Sequence, residues 1–477
     1  MSKSKRSNYI GVGLVALSLA ACKVPTLVGK TENPALPAQY APAKDTTNAA
    51  ALQWKQFFTD PYLAALIDTA LKNNQELGIM LQEIAISRNE IQARQGEYKP
   101  FVGLKGGAGL EKVGRYTSRG ASEATTELKP GKEMPEPLPD FGAGAYATWE
   151  VDIWKRLRNA KKAAAVRYLS SVEGRNFVVT NLVAEIAHSY YELLALDNQL
   201  EIVRKTIEIQ NNALGIVKIQ KEATRLTELA VRKFEAEVLK TRSLQYGILQ
   251  QITETENRIN FMLGRQPQAI ARNGRSFENL VPAAVHAGLP SQLLDNRPDI
   301  RQAALDLEAA RLDVKVARAA FYPSLGISAS LGFQAFNPAY LLKMPESLLY
   351  SLAGDLAGPL INKNAIRATY ANANAKQIQA VYQYERTILN AYFEVANQLA
   401  SISNLEKSYD LKSKQVAALT ESIDISNDLF QSARADYMEV LMTQRDALES
   451  KFELVETKKQ QLNAVVHVYQ ALGGGWN

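Results

Sequence analysis

The feature that most constrains the fold of this chain is an internal repeat, in which one order of elements occurs twice. Residues 98–104 (YKPFVGL) resemble residues 321–327 (FYPSLGI) at an offset of 223 positions. Further along, matched pairs share an offset of 209: Arg158 with Arg367, Asn181 with Asn390, Glu185 with Glu394, Val231 with Val440, and Leu263-Gly264 with Leu472-Gly473. Each half is therefore predicted to contain a helical segment, two strands and two long helices.

Two long tracts of the chain favour helix. Residues 140–266 contain no proline, and residues 360–472 contain neither proline nor glycine. Both tracts are rich in Ala, Leu, Gln, Glu, Lys and Arg, and their apolar positions recur at helical spacing. A helix over residues 365–430 would be on the order of 100 Å long at ~1.5 Å per residue. Helices of this length are typical of coiled coils and helical tubes.

Between the helical tracts lie four short stretches in which apolar and polar residues alternate. They are residues 102–111, 141–153, 324–333 and 348–356, and the last is the weakest. Period-two alternation predicts strands with one apolar and one polar face. Each stretch is close to the ~10 residues with which a tilted strand crosses a bilayer. A soluble half-buried sheet remains the alternative on these strands alone.

The number of strands then constrains the assembly. Four strands cannot close a membrane barrel, and open strand edges are not tolerated in lipid. Several chains must therefore share one barrel, and three copies would supply 12 strands around a pore. The predicted fold class is an α+β membrane protein: a homotrimeric 12-stranded β-barrel, with four strands per chain, continued by a long α-helical barrel.

The amino terminus has the pattern of an export signal. Lys3, Lys5 and Arg6 precede a short apolar run that ends at Cys22, the only cysteine of the chain. Such a run is too short to span a membrane and predicts a signal peptide over residues 1–21. The sequence LAAC resembles the bacterial lipobox, which implies cleavage before Cys22 and attachment of diacylglycerol and an N-acyl lipid to it. Lys23 favours the outer membrane by the same resemblance. An ordinary signal peptide with a chance cysteine is the alternative.

Composition excludes several classes of function. The net charge is +6, of which the signal peptide contributes +3. The sequence has no basic stripe with interleaved aromatic residues, so it does not predict nucleic-acid binding. The three histidines lie far apart in sequence, which favours packing or surface roles over metal ligation. No catalytic triad, carboxylate pair or phosphate loop is recognisable, so we expect no enzyme activity and no cofactor other than the lipid on Cys22.

The predicted organisation follows the repeat. After the signal peptide, we expect an extended tether (22–60). The first repeat then contains helices (61–98), a β-hairpin with a long extracellular loop (99–155) and a long helix pair with its periplasmic tip near 221–227 (156–264). A connecting segment (265–290) leads to the second repeat, with a helix (291–321), a β-hairpin (322–361), a long helix pair with its periplasmic tip near 430–436 (362–472) and a short tail (473–477).

Four motifs carry a family resemblance that covers nearly all of the mature chain. They are LLDNRPDIR (293–301), WEVDIWKRLR (149–158), DYMEVLMTQR (436–445) and ALGGGW (471–476). With them the chain resembles TolC-like outer-membrane efflux proteins, in the OprM/NodT-like lipoprotein branch that serves RND-type efflux systems. The resemblance implies a homotrimer in the outer membrane with a helical barrel in the periplasm. It also implies a periplasmic adaptor and an inner-membrane pump as partners, and a passive exit duct for small molecules.

The resemblance assigns roles to the ends of the long helices. It implies a gate formed by Glu439, Asp436 and Arg445. It implies adaptor contacts at the two helical turns, through Thr224, Arg225, Ala433 and Arg434. The chain departs from the family where Thr224 and Ala433 replace the usual turn glycines, and where Met442 replaces a second gate carboxylate.

Three other functions compete with the efflux duct. The first is the outer-membrane duct of a type I protein-secretion system. It stays open because the sequence of a pore wall does not reveal which cargo passes through. A structural coiled-coil lipoprotein and a periplasmic adaptor are the other two. The alternating strands and the twofold repeat argue against both of these.

Overall fold

A computed structural model describes residues 24–40, 48–49, 52–274, 277, 280, 287–432 and 434–476. The predicted signal peptide, Cys22 and Ala433 lie outside the described residues. The chain forms two compact units. The sheet unit contains the described residues within Met1–Thr31, together with Ala85–Leu169 and Leu305–Val381, and the helical unit contains Glu32–Ile84, Ser170–Ala304 and Tyr382–Asn477.

Ten α-helices account for most of the described chain. They are α1 (Trp54–Phe57), α2 (Pro61–Asn73), α3 (Gln75–Tyr98), α4 (Ser118–Glu123), α5 (Arg156–Glu222), α6 (Glu228–Met262), α7 (Leu293–Asn296), α8 (Pro298–Ala319), α9 (Asn364–Gln431) and α10 (Tyr437–Ala471). The two longest, α5 and α9, have 67 and 68 residues, as the proline-free tracts predict. Across the described residues, no helix has the length and apolarity needed to cross a bilayer.

Six strands in the described part of the chain form two sheets. They are β1 (Phe101–Glu111), β2 (Glu127–Lys129), β3 (Lys132–Glu133), β4 (Leu138–Val151), β5 (Ser324–Ala335) and β6 (Leu348–Ala357). The main sheet has the order β1-β4-β5-β6, and all its neighbours are antiparallel. The four strands predicted from period-two alternation are confirmed. The central β4–β5 pair joins the two halves of the repeat.

The segment between β1 and β4 contains structure that the sequence did not predict. Helix α4 and the β2–β3 hairpin lie within it, where the polar, proline-bearing sequence predicted only an exposed loop. Thr117 caps α4 by accepting a hydrogen bond from the backbone N–H of Gly120 at 3.1 Å. Arg119 donates from both Nη atoms to Glu111 and from Nε to Glu123, so charged pairs hold the helix to the end of β1.

The junction between β4 and α5 explains the motif WEVDIWKRLR. The buried carboxylate of Asp152 accepts hydrogen bonds from the backbone N–H groups of Leu157 and Arg158, at 3.0 and 2.9 Å. These are first-turn N–H groups that have no partner inside the helix. Arg158 also donates from Nη2 to the carbonyl of Asp152 at 2.7 Å. The Asp and the final Arg of this motif therefore turn the chain from strand into helix.

Described parts of the segment predicted as a tether, residues 22–60, are packed, each within its own unit. In the sheet unit, Val24 and Leu27 pack on a cluster around Phe321 and Tyr370. In the helical unit, range 22–60 includes α1, whose Trp54 is buried in the main core. Apolar side chains in this range account for the difference, because proline-rich composition alone predicts an extended linker but not the surface on which it docks.

The two halves of the repeat end their last helices in the same way. Asn74 Nδ2 donates to the carbonyl of Met262 at 2.8 Å, and Arg297 Nη1 donates to the carbonyl of Ala471 at 2.8 Å. Asn74 and Arg297 are 223 positions apart, and Met262 and Ala471 are 209 apart, which are the two repeat offsets. Each side chain satisfies a terminal carbonyl that the helix itself leaves unpaired. The sequence repeat is thus also a repeat of contacts.

Glycines follow both of these helix ends. Gly264 and Gly473 have φ of +66° and +86°, in the left-handed region that favours glycine. A Cβ at Gly473 would lie 2.6 Å from the carbonyl oxygen of Asn296, so a larger residue does not fit. The guanidinium carbon of Arg301 lies over the ring of Trp476, 5.6 Å from the centre of that ring. The motifs LLDNRPDIR and ALGGGW therefore form one contact region.

Candidate functional site

One face of the main sheet carries every charged side chain of its four strands. Directly paired residues of neighbouring antiparallel strands point to the same face, so the register assigns each residue to one of the two faces of the sheet. The charged residues are Lys105, Glu111, Asp140, Glu150 and Asp355. Their neighbours on this face are mostly glycine, serine and threonine, and we call it the polar face. The polar face has four carboxylates against one lysine.

The polar face is concave. A cavity of about 740 Å³ opens on it, lined by residues that include Lys105, Gly142, Tyr146 and Gln334. Directly opposite glycines make the bend possible, since a Cβ at Gly144 would lie 2.7 Å from Cα of Gly332. Close approach of two strand backbones at this pair leaves no room for side chains. The curvature therefore turns the polar residues inward and the opposite residues outward.

The opposite face of the sheet is apolar and exposed. Its cross-strand rows include Leu104, Ala145, Leu331 and Tyr350 in one line. Leu104 is 87% exposed and Tyr350 is 79% exposed. Soluble monomers rarely expose continuous apolar surface of this kind, so the face requires a lipid or protein environment.

Both ends of the sheet are open. Strands β1 and β6 each pair with a neighbour on one side only among the described residues. With 11 and 10 residues, these are long edges of the kind that readily pair with another chain. Neither edge contains a proline that would block further pairing.

The helical turns predicted as tips meet in one apolar cluster of the helical unit. Val217 and Phe234 come from α5 and α6, and Phe430 and Val440 come from α9 and α10. All four side chains are buried. The two turns are thus packed together, as the repeat suggests, with the predicted adaptor-contact side chains Arg225 and Arg434 exposed beside them.

Thr224, at a position where the family resemblance implies glycine, adopts a left-handed backbone conformation. Its φ is +56°, which is a rare value for a β-branched residue. Its Oγ1 donates to the carbonyl of Ala223 at 2.8 Å, and the N–H of Arg225 bonds to the carbonyl of Gln220 at 2.9 Å. The turn therefore closes with a β-branched residue in the left-handed region, at a cost in backbone strain.

The predicted gate residues lie in the first turns of α10, and their side chains form no ion pair with one another among the described residues. Asp436 is the residue before the helix, and the N–H of Glu439 bonds to its backbone carbonyl at 3.1 Å. Both side chains are exposed, and neither has an ion-pair partner in the part of the chain that the structure describes. Arg445 has its nearest carboxylate in Asp446, at 3.6 Å. Glu439 and Arg445 are therefore not partners within one chain.

A charged network at the first turn was missed by the sequence reasoning. Lys221 bonds Glu228 across the turn at 3.0 Å, and Arg232 bonds Glu228 at 2.8 Å and Glu235 at 2.9 Å. Hydrogen bonding to Lys221 is the main cause of a lowered pKa of Glu228. The i,i+4 and i,i+3 spacings of Glu228, Arg232 and Glu235 were the available signal.

Two glutamines on the long helices are buried without hydrogen-bond partners among the described residues. Gln210 on α5 is 1% exposed and Gln444 on α10 is 2% exposed. Neither the amide nitrogen nor the carbonyl oxygen of either side chain is bonded. Such groups reduce stability by roughly 1–3 kcal/mol each, because they lose hydration without gaining a partner. Within the described chain, no cluster of three or more His, Cys, Asp or Glu side chains could hold a metal ion.

The fold and these surfaces suit the wall of a membrane channel, and comparison with known proteins gives the family. The chain belongs to the outer membrane efflux protein family, whose profile matches residues 66–265 and 289–474. The predicted resemblance to TolC-like efflux proteins is thereby confirmed. This is a family of channels and not of enzymes.

Curated relatives and solved structures agree with this assignment. The chain is 29% identical over 465 residues to the pyoverdine export outer membrane protein OpmQ of Pseudomonas aeruginosa, covering 96% of each. It is 26% identical to the cation efflux system protein CusC of Escherichia coli, covering 97% of each. A CusC crystal structure matches with a TM-score of 0.80 and 25% identity, over 94% of this chain and 99% of that one. The Neisseria gonorrhoeae MtrE channel in its open state matches in fold, with a TM-score of 0.81 and 22% identity, over 95% and 98%.

Proposed function

We propose that this protein is the passive outer-membrane exit duct of a tripartite efflux pump for small molecules. The observation that carries the proposal is the division of the sheet into two faces. All five charged side chains lie on the concave face, while the convex face is apolar and exposed. A sheet of this kind suits a pore wall, with water on one side and lipid on the other.

Closure of the pore requires copies of the chain. Strand β6 of one copy pairs with β1 of the next, and three copies give 12 strands without an open edge. The length of β1 and the matching length of β6 support this pairing. Lipid attached to Cys22 anchors each copy to the outer membrane, and the long helices continue the wall of the duct into the periplasm. The inner-membrane pump supplies the energy.

The turns near residues 221–227 and 430–436 form the periplasmic end. Exposed Arg225 and Arg434, with Thr224 and Ala433, contact the adaptor. Glu439, at the start of α10, repeats three times around the axis of the trimer. Three carboxylates close together repel one another and attract cations, which favours a gate at this level. Asp436 and Arg445 contribute charge beside it.

The names of three relatives support small molecules as the class of cargo. OpmQ is a pyoverdine exporter, SrpC of Pseudomonas putida belongs to a solvent efflux pump, and CusC belongs to a cation efflux system. All three carry small solutes, which supports small-molecule efflux over type I protein secretion for this chain.

Photocrosslinking tests the proposed partner and topology together. Ser432→Cys places a probe at the exposed second turn, and Ser122→Cys places one on exposed α4 in the first loop. The probe at Ser432 is expected to capture a periplasmic adaptor of an efflux pump, identified by mass spectrometry. The thiol of Ser122→Cys is expected to be labelled only by reagents added outside intact cells.

Two other results would change the proposal. Capture of a secretion-system adaptor would replace small molecules by protein as the cargo and keep the duct. Labelling of Ser432→Cys from outside intact cells would contradict the topology and the duct with it.

A further inference from the structure

Lys105 on β1 is the only basic side chain in the four strands of the main sheet. It lies on the polar face and lines the cavity of about 740 Å³ that opens there. Its side chain is exposed, and no carboxylate of the described chain lies within ion-pair distance of its ammonium group. A lysine left without a partner in an open cavity is available to an anion from solution.

The carboxylates of the polar face are too far away to neutralise Lys105. Lys105 pairs with Gly144, and Asp140 lies four residues further along β4, which is about 13 Å. Both oxygens of Asp140 also accept from Nε2 of Gln334, at 2.9 and 2.8 Å. Three more carboxylates lie six residues along the strands from the row of Lys105, namely Glu111, Glu150 and Asp355. The Debye length at physiological salt is ~8 Å, so all four are screened from Lys105.

The floor of the cavity beside Lys105 is bare backbone. Its cross-strand row continues through Gly144 and Gly332. A Cβ at Gly144 would lie 2.7 Å from the backbone of β5, and one at Gly332 would lie 2.6 Å from the backbone of β4. Neither position has room for a side chain, so a solute can approach Lys105 across the two glycines.

Hydroxyl groups occupy the neighbouring row of the polar face. A Cβ at Gly103 would lie 2.9 Å from Oη of Tyr146, so the phenol lies over β1 at a point two residues from Lys105. Beside Tyr146, Oγ of Ser330 lies 2.7 Å from Oγ of Ser351. This contact uses one hydroxyl proton, and the other proton remains free to donate. Ammonium and hydroxyl donors side by side suit an oxyanion, which accepts charge-assisted hydrogen bonds.

We propose that Lys105, Tyr146 and Ser330 form a binding site for oxyanions, namely the carboxylate or phosphate groups of small solutes that pass along the pore. Lys105 supplies the charge, and the two hydroxyls supply further donors. The site rests on the proposed exit duct, because a solute reaches the polar face through a water-filled pore. An exposed lysine holds an anion weakly, so the solute is released again, as passage through a pore requires.

Thiol chemistry beside Lys105 measures the local potential. Gly107 lies two residues from Lys105 on the same face, about 7 Å away, and a Cβ there meets no atom within 4 Å. In the full-length protein, purified in detergent, Gly107→Cys is treated with a methanethiosulfonate that carries either a sulfonate or a quaternary ammonium group. The ratio of the anionic to the cationic rate is expected to fall about 5-fold when Lys105→Gln is added at ~10 mM salt, where the charge acts unscreened. The unsubstituted protein controls for Cys22.

Ala353→Cys is the matched control. Ala353 lies on the polar face of β6, two residues from Asp355. The cationic reagent is expected to react faster there, and Lys105→Gln is expected to leave the rate ratio unchanged.

Competition identifies the ligand. Citrate and inorganic phosphate are added separately and compared with sodium chloride of equal ionic strength. Each is expected to slow the anionic reagent at Gly107→Cys, and Lys105→Gln is expected to abolish this protection. Tyr146→Phe removes one hydroxyl and is expected to raise the concentration needed for half protection roughly 2–10-fold.

The outcomes separate the site from the duct. Protection by citrate alone would assign carboxylates as the ligand, and protection by phosphate alone would assign phosphates. A rate ratio unaffected by Lys105→Gln, or protection by neither anion, would overturn the site and leave the duct in place. Failure of both reagents at both cysteines would instead contradict the water-filled pore.

Discussion

Arg297 donates from Nη1 to the backbone carbonyl of Ala471 at 2.8 Å, and so joins the motifs LLDNRPDIR and ALGGGW. Its guanidinium also bonds Asp299 and Glu394, each at 2.7 Å. Burial opposes the charge, but these two carboxylates hold the pKa of Arg297 above its usual value. The RPD sequence therefore has a structural role at the end of the last helix.

Replacing Arg297 tests this role against its counterpart in the first repeat. Arg297→Met leaves the part-buried carboxylate of Asp299 without its partner and removes the donor to the Ala471 carbonyl, and it is expected to lower the free energy of unfolding by about 3 kcal/mol. Asn74→Ala, which removes an uncharged donor from the carbonyl of Met262, is expected to lower it by about 1–2 kcal/mol. Chemical unfolding of the purified protein measures both. Equal losses would contradict the electrostatic explanation.

The strained turn at Thr224 gives a second prediction. Thr224→Gly is expected to raise the free energy of unfolding by about 1 kcal/mol, because glycine adopts a φ of +56° without a steric penalty. Gly264→Ala is the opposite case, since φ there is +66° and an added Cβ meets the backbone of Asn73. It is expected to lower the melting temperature. A Thr224→Gly protein that melts at a lower temperature would show that the turn is not strained.

Buried Gln444 gives a third prediction. Gln444→Leu removes two polar atoms that have no partners and keeps the side-chain size, so a gain of roughly 1–3 kcal/mol is expected. Hydrogen exchange at the turns should slow in this variant. The exposed neighbour Arg445→Leu is the control and is expected to change stability little. Destabilisation by Gln444→Leu would mean that its amide is hydrogen-bonded in solution.

Stability is expected to depend on pH through His188. Burial lowers its pKa to about 4 in the folded chain, from 6.5 as a free side chain, so the unfolded chain binds an extra proton between these values. The contribution of neutral His188 to the free energy of unfolding is therefore fully present above pH 6.5. It falls as the pH decreases toward 4, by up to about 3 kcal/mol. Melting temperatures at pH 7 and pH 5 measure the effect. His188→Gln should flatten this dependence, whereas His467→Gln should retain it.

Much of the architecture could be predicted from the sequence because it follows local periodicity. Alternation of apolar and polar residues identified the four strands of the main sheet, and proline-free tracts identified α5 and α9. The repeat offsets also anticipated the equivalence of Leu263-Gly264 and Leu472-Gly473, which proved to be the two glycine-terminated helix ends.

The rest depended on contacts between distant residues, which single-sequence patterns do not contain. Helix α4 is held by the Arg119 pairs with Glu111 and Glu123, and its short polar sequence has no helical period of its own. The contact between the rings of His188 and His467 depends on how α5 packs on α10. The packed position of Trp54 depends on a core formed mainly by later helices.

The most direct test of the proposed pore compares two neighbouring positions on β1. Lys105 lies on the polar face and Leu104 on the apolar face. In intact cells, Lys105→Cys is expected to react with a water-soluble maleimide that enters the pore, whereas Leu104→Cys is expected to be protected by lipid. The unsubstituted protein controls for Cys22. Equal reaction of both cysteines, or reaction of Leu104→Cys alone, would contradict a water-filled pore lined by the polar face.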